Sequence, residues 1–228
     1  MLRLRYYLAI ILLLVCGDAF ATTEDFTSYA TADPDGKLSV TASLIDSDNI
    51  QDCGGETRVE KNYTASHFGN YSINFKAASD LCGSVNGEVM LWSLGNTADA
   101  VYSDLDAANI GIALRGQQGS SDSTFTLINL ENNSSDTYVG LNDTFYWFTC
   151  ARDGSTQTCA IYSDTWGGTL VDTLSVTRTG TSYQYQTLMT NLGVVNCNGN
   201  CGRIAELTIT QADSGGGGSS SNPTHLVN

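Results

Sequence analysis

Alternation of apolar and polar residues with a period of two is the feature that most limits what this chain can fold into. Leu38, Val40, Ala42 and Leu44 interleave with Lys37, Ser39, Thr41 and Ser43. Tyr71, Ile73, Phe75 and Ala77 do the same against Ser72, Asn74 and Lys76, and Ile110, Ile112 and Leu114 repeat the pattern. Successive side chains of a strand point to opposite faces, so such segments bury one face and wet the other. Stretches 89–94 and 145–148 are apolar on both faces, as expected of central strands covered on both sides or of strands whose outer face carries something else; Trp92 and Trp147, lying in them, are read as core residues. No segment sustains a helical period. Pro34-Asp35-Gly36, Asn86-Gly87, Asp153-Gly154 and Gly167-Gly168 mark turns at short intervals. Short strands punctuated this way specify an all-β, two-sheet antiparallel sandwich or barrel. Neither proline interrupts a strand pattern.

Residues 1–21 have the layout of a signal peptide. Arg3 and Arg5 form a positive start, Leu8 to Val15 is apolar, and Ala19-Phe20-Ala21 offers small residues for cleavage. The apolar run is far shorter than the ~20 residues of a spanning helix. Cys16 falls in the removed segment, since Val15 precedes it where lipid attachment requires a small residue. One β-sandwich domain is expected over 22–212, long enough for a real core, followed by a flexible Gly/Ser-rich tail over 213–228.

Six cysteines remain: Cys53, Cys82, Cys150, Cys159, Cys197 and Cys201. An even number in an exported chain reads as disulfides. A two-residue Gly154-Ser155 turn sets Arg152 opposite Gln157 and Cys150 opposite Cys159; glycine in the first loop position is the type II′ preference. Cys197 and Cys201 bracket a short loop and close it, which leaves Cys53 with Cys82. Zinc is disfavoured, because paired C-x-x-C spacing is absent and histidine is scarce.

Acidic residues outnumber basic ones 24 to 10. Loss of Arg3, Arg5 and Asp18 with the signal moves the net charge from −14 to −15. Such a surface repels nucleic-acid phosphates and anionic lipid, and suits cations or uncharged glycans. The expected setting is secreted, extracellular or surface-displayed, with no nucleic-acid partner and no membrane insertion once the signal is gone.

Four stretches, GNYSINFKA, GEVMLWSLGN, FYWFTCARDGSTQTCAIYSD and LVDTLSV, resemble the concanavalin A-like lectin/glucanase superfamily, closest to its laminin-G-like modules. The resemblance implies a jelly roll of two curved antiparallel sheets. It implies glycan binding, often with calcium, or polysaccharide hydrolysis or elimination. The glucanase E-x-D-x-x-E motif is absent. Glu56 and Glu60 share a strand face but stand about 13 Å apart, too far for a retaining pair, and Arg58 between them reads as charge neutralisation on a solvated strand. His67 is the one histidine within 22–212, and no pattern ties a tyrosine to it as a lyase would require. No catalytic residue is therefore assigned.

A sugar site needs an aromatic platform with planar polar groups beside it. Trp166, between Asp164-Thr165 and Gly167-Gly168, is the platform candidate, with Asp164 beside it. Asp99, Asp104 and Asp106 form the densest oxygen cluster for calcium, with Asp46, Asp48 and Asp52 second. The expected function is a non-catalytic module binding carbohydrate or an extracellular surface protein. The alternatives are a diverged polysaccharide-degrading enzyme and a structural surface or virion adhesion module. Five N-x-[ST] triplets, at Asn62, Asn70, Asn132, Asn133 and Asn142, are acceptors for glycosylation in a eukaryotic secretory pathway.

Overall fold

A computed structural model describes residues 21–50, 57–65, 67–80, 87–97, 111–178, 182–191 and 200–211. Residues 1–20, expected to be signal peptide, the expected tail, Cys53, Cys82, Cys197, Asp52, Asp99, Asp104 and Asp106 lie outside the described residues.

Among the described residues the chain forms fifteen strands and no α-helix. In chain order they are β1 (Ala21–Thr23), β2 (Ala30–Ala32), β3 (Leu38–Val40), β4 (Leu44–Ile50), β5 (Arg58–Asn62), β6 (Tyr71–Asp80), β7 (Glu88–Gly95) and β8 (Ile112–Gln118). There follow β9 (Asp122–Asn129), β10 (Ser134–Leu141), β11 (Tyr146–Asp153), β12 (Thr156–Tyr162), β13 (Leu170–Thr177), β14 (Tyr185–Asn191) and β15 (Asn200–Gln211). One sheet runs β13-β12-β11-β6-β15-β4-β3, with β1 also paired to β15; the other runs β10-β9-β8-β7-β14-β5-β2. Every pairing is antiparallel. The chain swaps sheets between β1 and β2, β2 and β3, β4 and β5, β5 and β6, β6 and β7, β10 and β11, β13 and β14, and β14 and β15. This is the expected jelly-roll sandwich.

Strand parity builds the core. In β6, Tyr71, Ile73, Phe75 and Ala77 are buried while Ser72, Asn74 and Lys76 face outward. Phe75 stacks on Phe148 of the same sheet at 5.4 Å and on Trp92 of the other at 5.9 Å. Phe125 closes on Phe148 from the opposite sheet at 5.4 Å. Aromatic pairs at such separations add to the gain from burial alone.

The β11–β12 hairpin follows the turn chemistry. Arg152 pairs with Gln157 and Cys150 with Cys159. Gly154 takes φ +58° while Ser155 keeps a negative φ, as a type II′ turn requires. Cys150 and Cys159 are disulfide-bonded, with Cα atoms 4.0 Å apart, and both point into the core. Cys201 is also disulfide-bonded, to a partner outside the described residues.

Three expectations are corrected. Residues 37–44 are not one strand: the backbone turns at 41–43 between β3 and β4. The Thr41 hydroxyl accepts from the Leu44 amide at 3.1 Å, and the Thr41 amide donates to the Leu44 carbonyl at 2.9 Å. Ala42 is consequently exposed. Trp147 is not a core residue, because Tyr146 and Phe148 take the inward positions of β11 and leave the indole on the outer face, half-buried. Glu60 is not solvated. It lies on β5, flanked by β2 and β14, and is 8% exposed. β7, by contrast, is buried on both faces as expected.

Candidate functional site

The parity that sends Phe75 inward sends Lys76 outward, and the site grows around that lysine. Across the sheet, Tyr162, Trp147 and Lys76 stand side by side on β12, β11 and β6. The Lys76 ammonium sits 5.3 Å from the Trp147 ring centre and 5.9 Å from that of Trp166. The loop after β12 therefore carries Trp166 back over the outer face, so that one ammonium serves two indoles.

Asp164 fixes that loop. Its Oδ1 accepts from the Thr165 and Thr169 amides, each at 2.8 Å, and its Oδ2 from the Thr169 hydroxyl at 3.0 Å. Those bonds, the Thr169 amide first, hold the carboxyl below its ordinary range. At Gly168 a Cβ would meet Asp164 Oδ1 at 2.3 Å and Thr165 Cγ2 at 2.9 Å, so a side chain there would break the turn. Asp164 thus positions Trp166, with both carboxylate oxygens engaged within the loop. The half-buried indole has its Nε1 shielded and without an acceptor among the described residues. Leaving a buried donor unpaired costs about 1–3 kcal/mol.

On the other side of Lys76, β15 carries a bulge. Its register against β6 breaks between Ala205 and Thr208, and Glu206 adopts φ +54°. A left-handed conformation costs a non-glycine residue roughly 1–2 kcal/mol. The bulge turns Glu206 outward, where its Oε1 lies 2.6 Å from Lys76 Nζ. Its amide donates to the Ser43 carbonyl at 3.0 Å, which docks the β3–β4 turn. The Glu24 amide donates to the Leu207 carbonyl at 2.8 Å and brings in the segment after β1.

These segments enclose a groove of about 480 Å³, lined by Thr23, Glu24, Asp25, Ala42, Ser43, Trp166, Glu206 and Thr208. It offers an indole wall, three carboxylates and hydroxyl groups, the components of a site for a small polar molecule with apolar faces. Glu24, the buried member of the lining, bonds Lys61 and the Tyr29 hydroxyl. Asp25 is exposed, and hydrogen bonds from Thr27 hold its carboxyl below the usual range.

The structure thus brings Trp166 and Asp164 together as a wall and its brace. The sequence reading missed Lys76, Trp147, Glu206 and the residues of 23–25 and 41–43. Parity alone could have found Lys76 and Trp147. The others meet only through long-range register. Asp46 and Asp48 lie on β4. Among the described residues no group of three or more His, Cys, Asp or Glu side chains could hold a metal ion.

His67 does meet a tyrosine. Its ring stacks on Tyr63 at 4.4 Å, while the Tyr63 hydroxyl reaches Tyr29 at 3.1 Å and Gln186 at 3.3 Å. Burial pushes the Tyr63 phenol up and the His67 imidazole down. Both shifts favour neutral forms, the reverse of what a tyrosinate base needs.

No protein-family model matches the chain, and no curated protein does. Solved structures of similar shape include the exoplasmic/lumenal domain of VIP36 in a Ca2+/Man-bound form, at 10% identity and TM-score 0.55, covering 86% of this chain and 91% of that one. The PL7 alginate lyase AlyA1 of Zobellia galactanivorans aligns at 14% identity and TM-score 0.52, over 80% of this chain and 83% of its own. A legume lectin-like domain from Entamoeba histolytica aligns at 11% and TM-score 0.51, over 86% and 98%. At such identities the likeness carries the fold alone.

Proposed function

We propose that this chain, a concanavalin A-like jelly roll, is an exported, non-catalytic module that seats a glycan in the groove beside Trp166. The observation that carries the proposal is the loop braced by Asp164, which holds a half-buried indole over a groove furnished with carboxylates and hydroxyls. One face of a pyranose ring is rich in C–H and stacks on an indole; the ring's hydroxyls then reach Ser43, Thr208 and Glu206. Neighbours whose names record mannose-bound forms and lectin-like domains support the carbohydrate reading. Two disulfide-bonded positions on β11 and β15, Cys150 and Cys201, support an oxidising compartment.

Absence of catalysis is part of the proposal. It rests on the missing glucanase motif. Calcium binding through Asp99, Asp104 and Asp106 is a separate proposal, supported by the calcium-bound neighbours. Calorimetry with calcium, with and without chelator, tests it.

A glycan array read with the wild type and with Trp166→Ala tests the central proposal. Selective binding by the wild type that disappears in the variant is expected. Turnover of a bound polysaccharide into new reducing ends or unsaturated products would replace this reading with the enzyme alternative.

A further inference from the structure

We propose, resting on that glycan reading, that the groove sorts sugars by charge: it takes hexosamine chains bearing free ammonium groups and turns away polyuronates. Glu24, Asp25 and Glu206 line the groove, and among the described residues no basic side chain lines it. The two ammonium groups beside it are already committed. Lys61 bonds Glu24, and Lys76 lies 2.6 Å from Glu206 beneath the indoles.

Asp25 is left without an ion pair among the described residues, with Lys61 acting on it only at longer range as the smallest of the influences on its carboxyl. Its Oδ1 accepts from the Thr27 amide at 2.9 Å and the Thr27 hydroxyl at 2.6 Å, while Oδ2 has no partner among the described residues. The carboxylate faces solvent at the groove rim and stays ionised, because Thr27 stabilises the charged form.

Trp166 adds the second element. An indole face attracts an ammonium group, and Lys76 shows that this ring accepts one within the chain itself. A sugar bearing an ammonium group can stack on Trp166 and place its charge toward Asp25. A polyuronate would set its carboxylates against Asp25 and Glu206, in a chain of net charge −14. The fold is shared with an alginate lyase, so the charge of this groove, not its architecture, decides the sugar.

Calorimetry on the full chain with a glucosamine hexamer, its N-acetylated counterpart and a mannuronate hexamer tests the inference. Mildly acidic buffer keeps the amines protonated and Asp25 ionised. The glucosamine hexamer should bind roughly fivefold tighter than the N-acetylated one, the scale of one exposed charge pair, and the mannuronate hexamer should give no heat. Asp25→Asn, which keeps a capping side chain on the turn at Phe26–Ser28, should erase the advantage of the amine. Equal affinity for both hexosamine forms, or binding of mannuronate, overturns the charge sorting and leaves the glycan reading standing. Amine binding that survives Trp166→Ala reports general surface charge and also overturns it. No heat from any hexamer also overturns the charge sorting, while the glycan reading itself falls only with the array.

Discussion

Lys76 Nζ and Glu206 Oε1 lie 2.6 Å apart, joining β6 to the bulge of β15. The same ammonium faces Trp147 and Trp166. One lysine thereby couples a strained backbone position to two indoles. The ion pair itself is partly exposed and adds little stability. Its consequence is positional, because it fixes where a carboxylate and an aromatic wall stand relative to each other.

The strain at Glu206 is measurable. Glu206→Ala and Glu206→Gly both remove the ion pair, but only glycine accepts φ +54° without penalty. The glycine variant should therefore be the more stable of the two by about 1 kcal/mol in urea unfolding. Equal stabilities would mean that the backbone at Glu206 is not left-handed in solution. Both variants should bind glycan more weakly than the wild type.

The Cys150–Cys159 disulfide closes a short loop and packs inside the core. Replacing both cysteines with alanine should cost about 3 kcal/mol by equilibrium unfolding, from the restored freedom of the unfolded chain. A loss below about 1 kcal/mol would contradict the assigned contribution.

Two tryptophans should separate stability from binding. Trp92 is fully buried and stacks against Phe75, so Trp92→Ala should lower stability by about 3–5 kcal/mol. Trp166→Ala removes a half-buried loop residue and should change stability far less while abolishing sugar binding. Melting temperatures and calorimetric affinities on the same preparations check both statements.

Acid should loosen the loop that carries Trp166. The folded state lowers the pKa of Asp164 from its ordinary value of 3.8, through hydrogen bonds to the ionised form from Thr169 and Thr165. That contribution is complete above the unfolded value and is lost as pH falls through the lower folded one. Tryptophan fluorescence should shift below pH 3.8 in the wild type. Asp164→Asn should lack this transition. An identical acid profile in the variant would show that Asp164 does not brace the loop.

Much of the fold could be read from local pattern. β6 alternates from Tyr71 to Ala77, and the hairpin at 150–159 follows from one glycine and two cysteines. Errors arose where a longer-range rule overrode the local one. The run at 145–148 counts as apolar throughout, but a sandwich needs only one face of β11 inward, and parity put Trp147 outside. The turn at 41–43 carries no glycine or proline; it is closed by the Thr41 hydroxyl, a weaker signal in sequence. The groove was the least legible feature. Trp166 was visible as a loop aromatic, yet its companions come from 23–25, 41–43 and 206–208, brought together by β1–β15 pairing and a bulge. No spacing along the chain encodes that meeting.

Indole N–H signals from a nitrogen-15 spectrum, followed during titration with the best sugar from the array, test the central claim most directly. The Trp166 signal should move with saturation while that of Trp92, sealed between the sheets, stays in place. A titration that leaves Trp166 unmoved while the sugar binds would contradict the account.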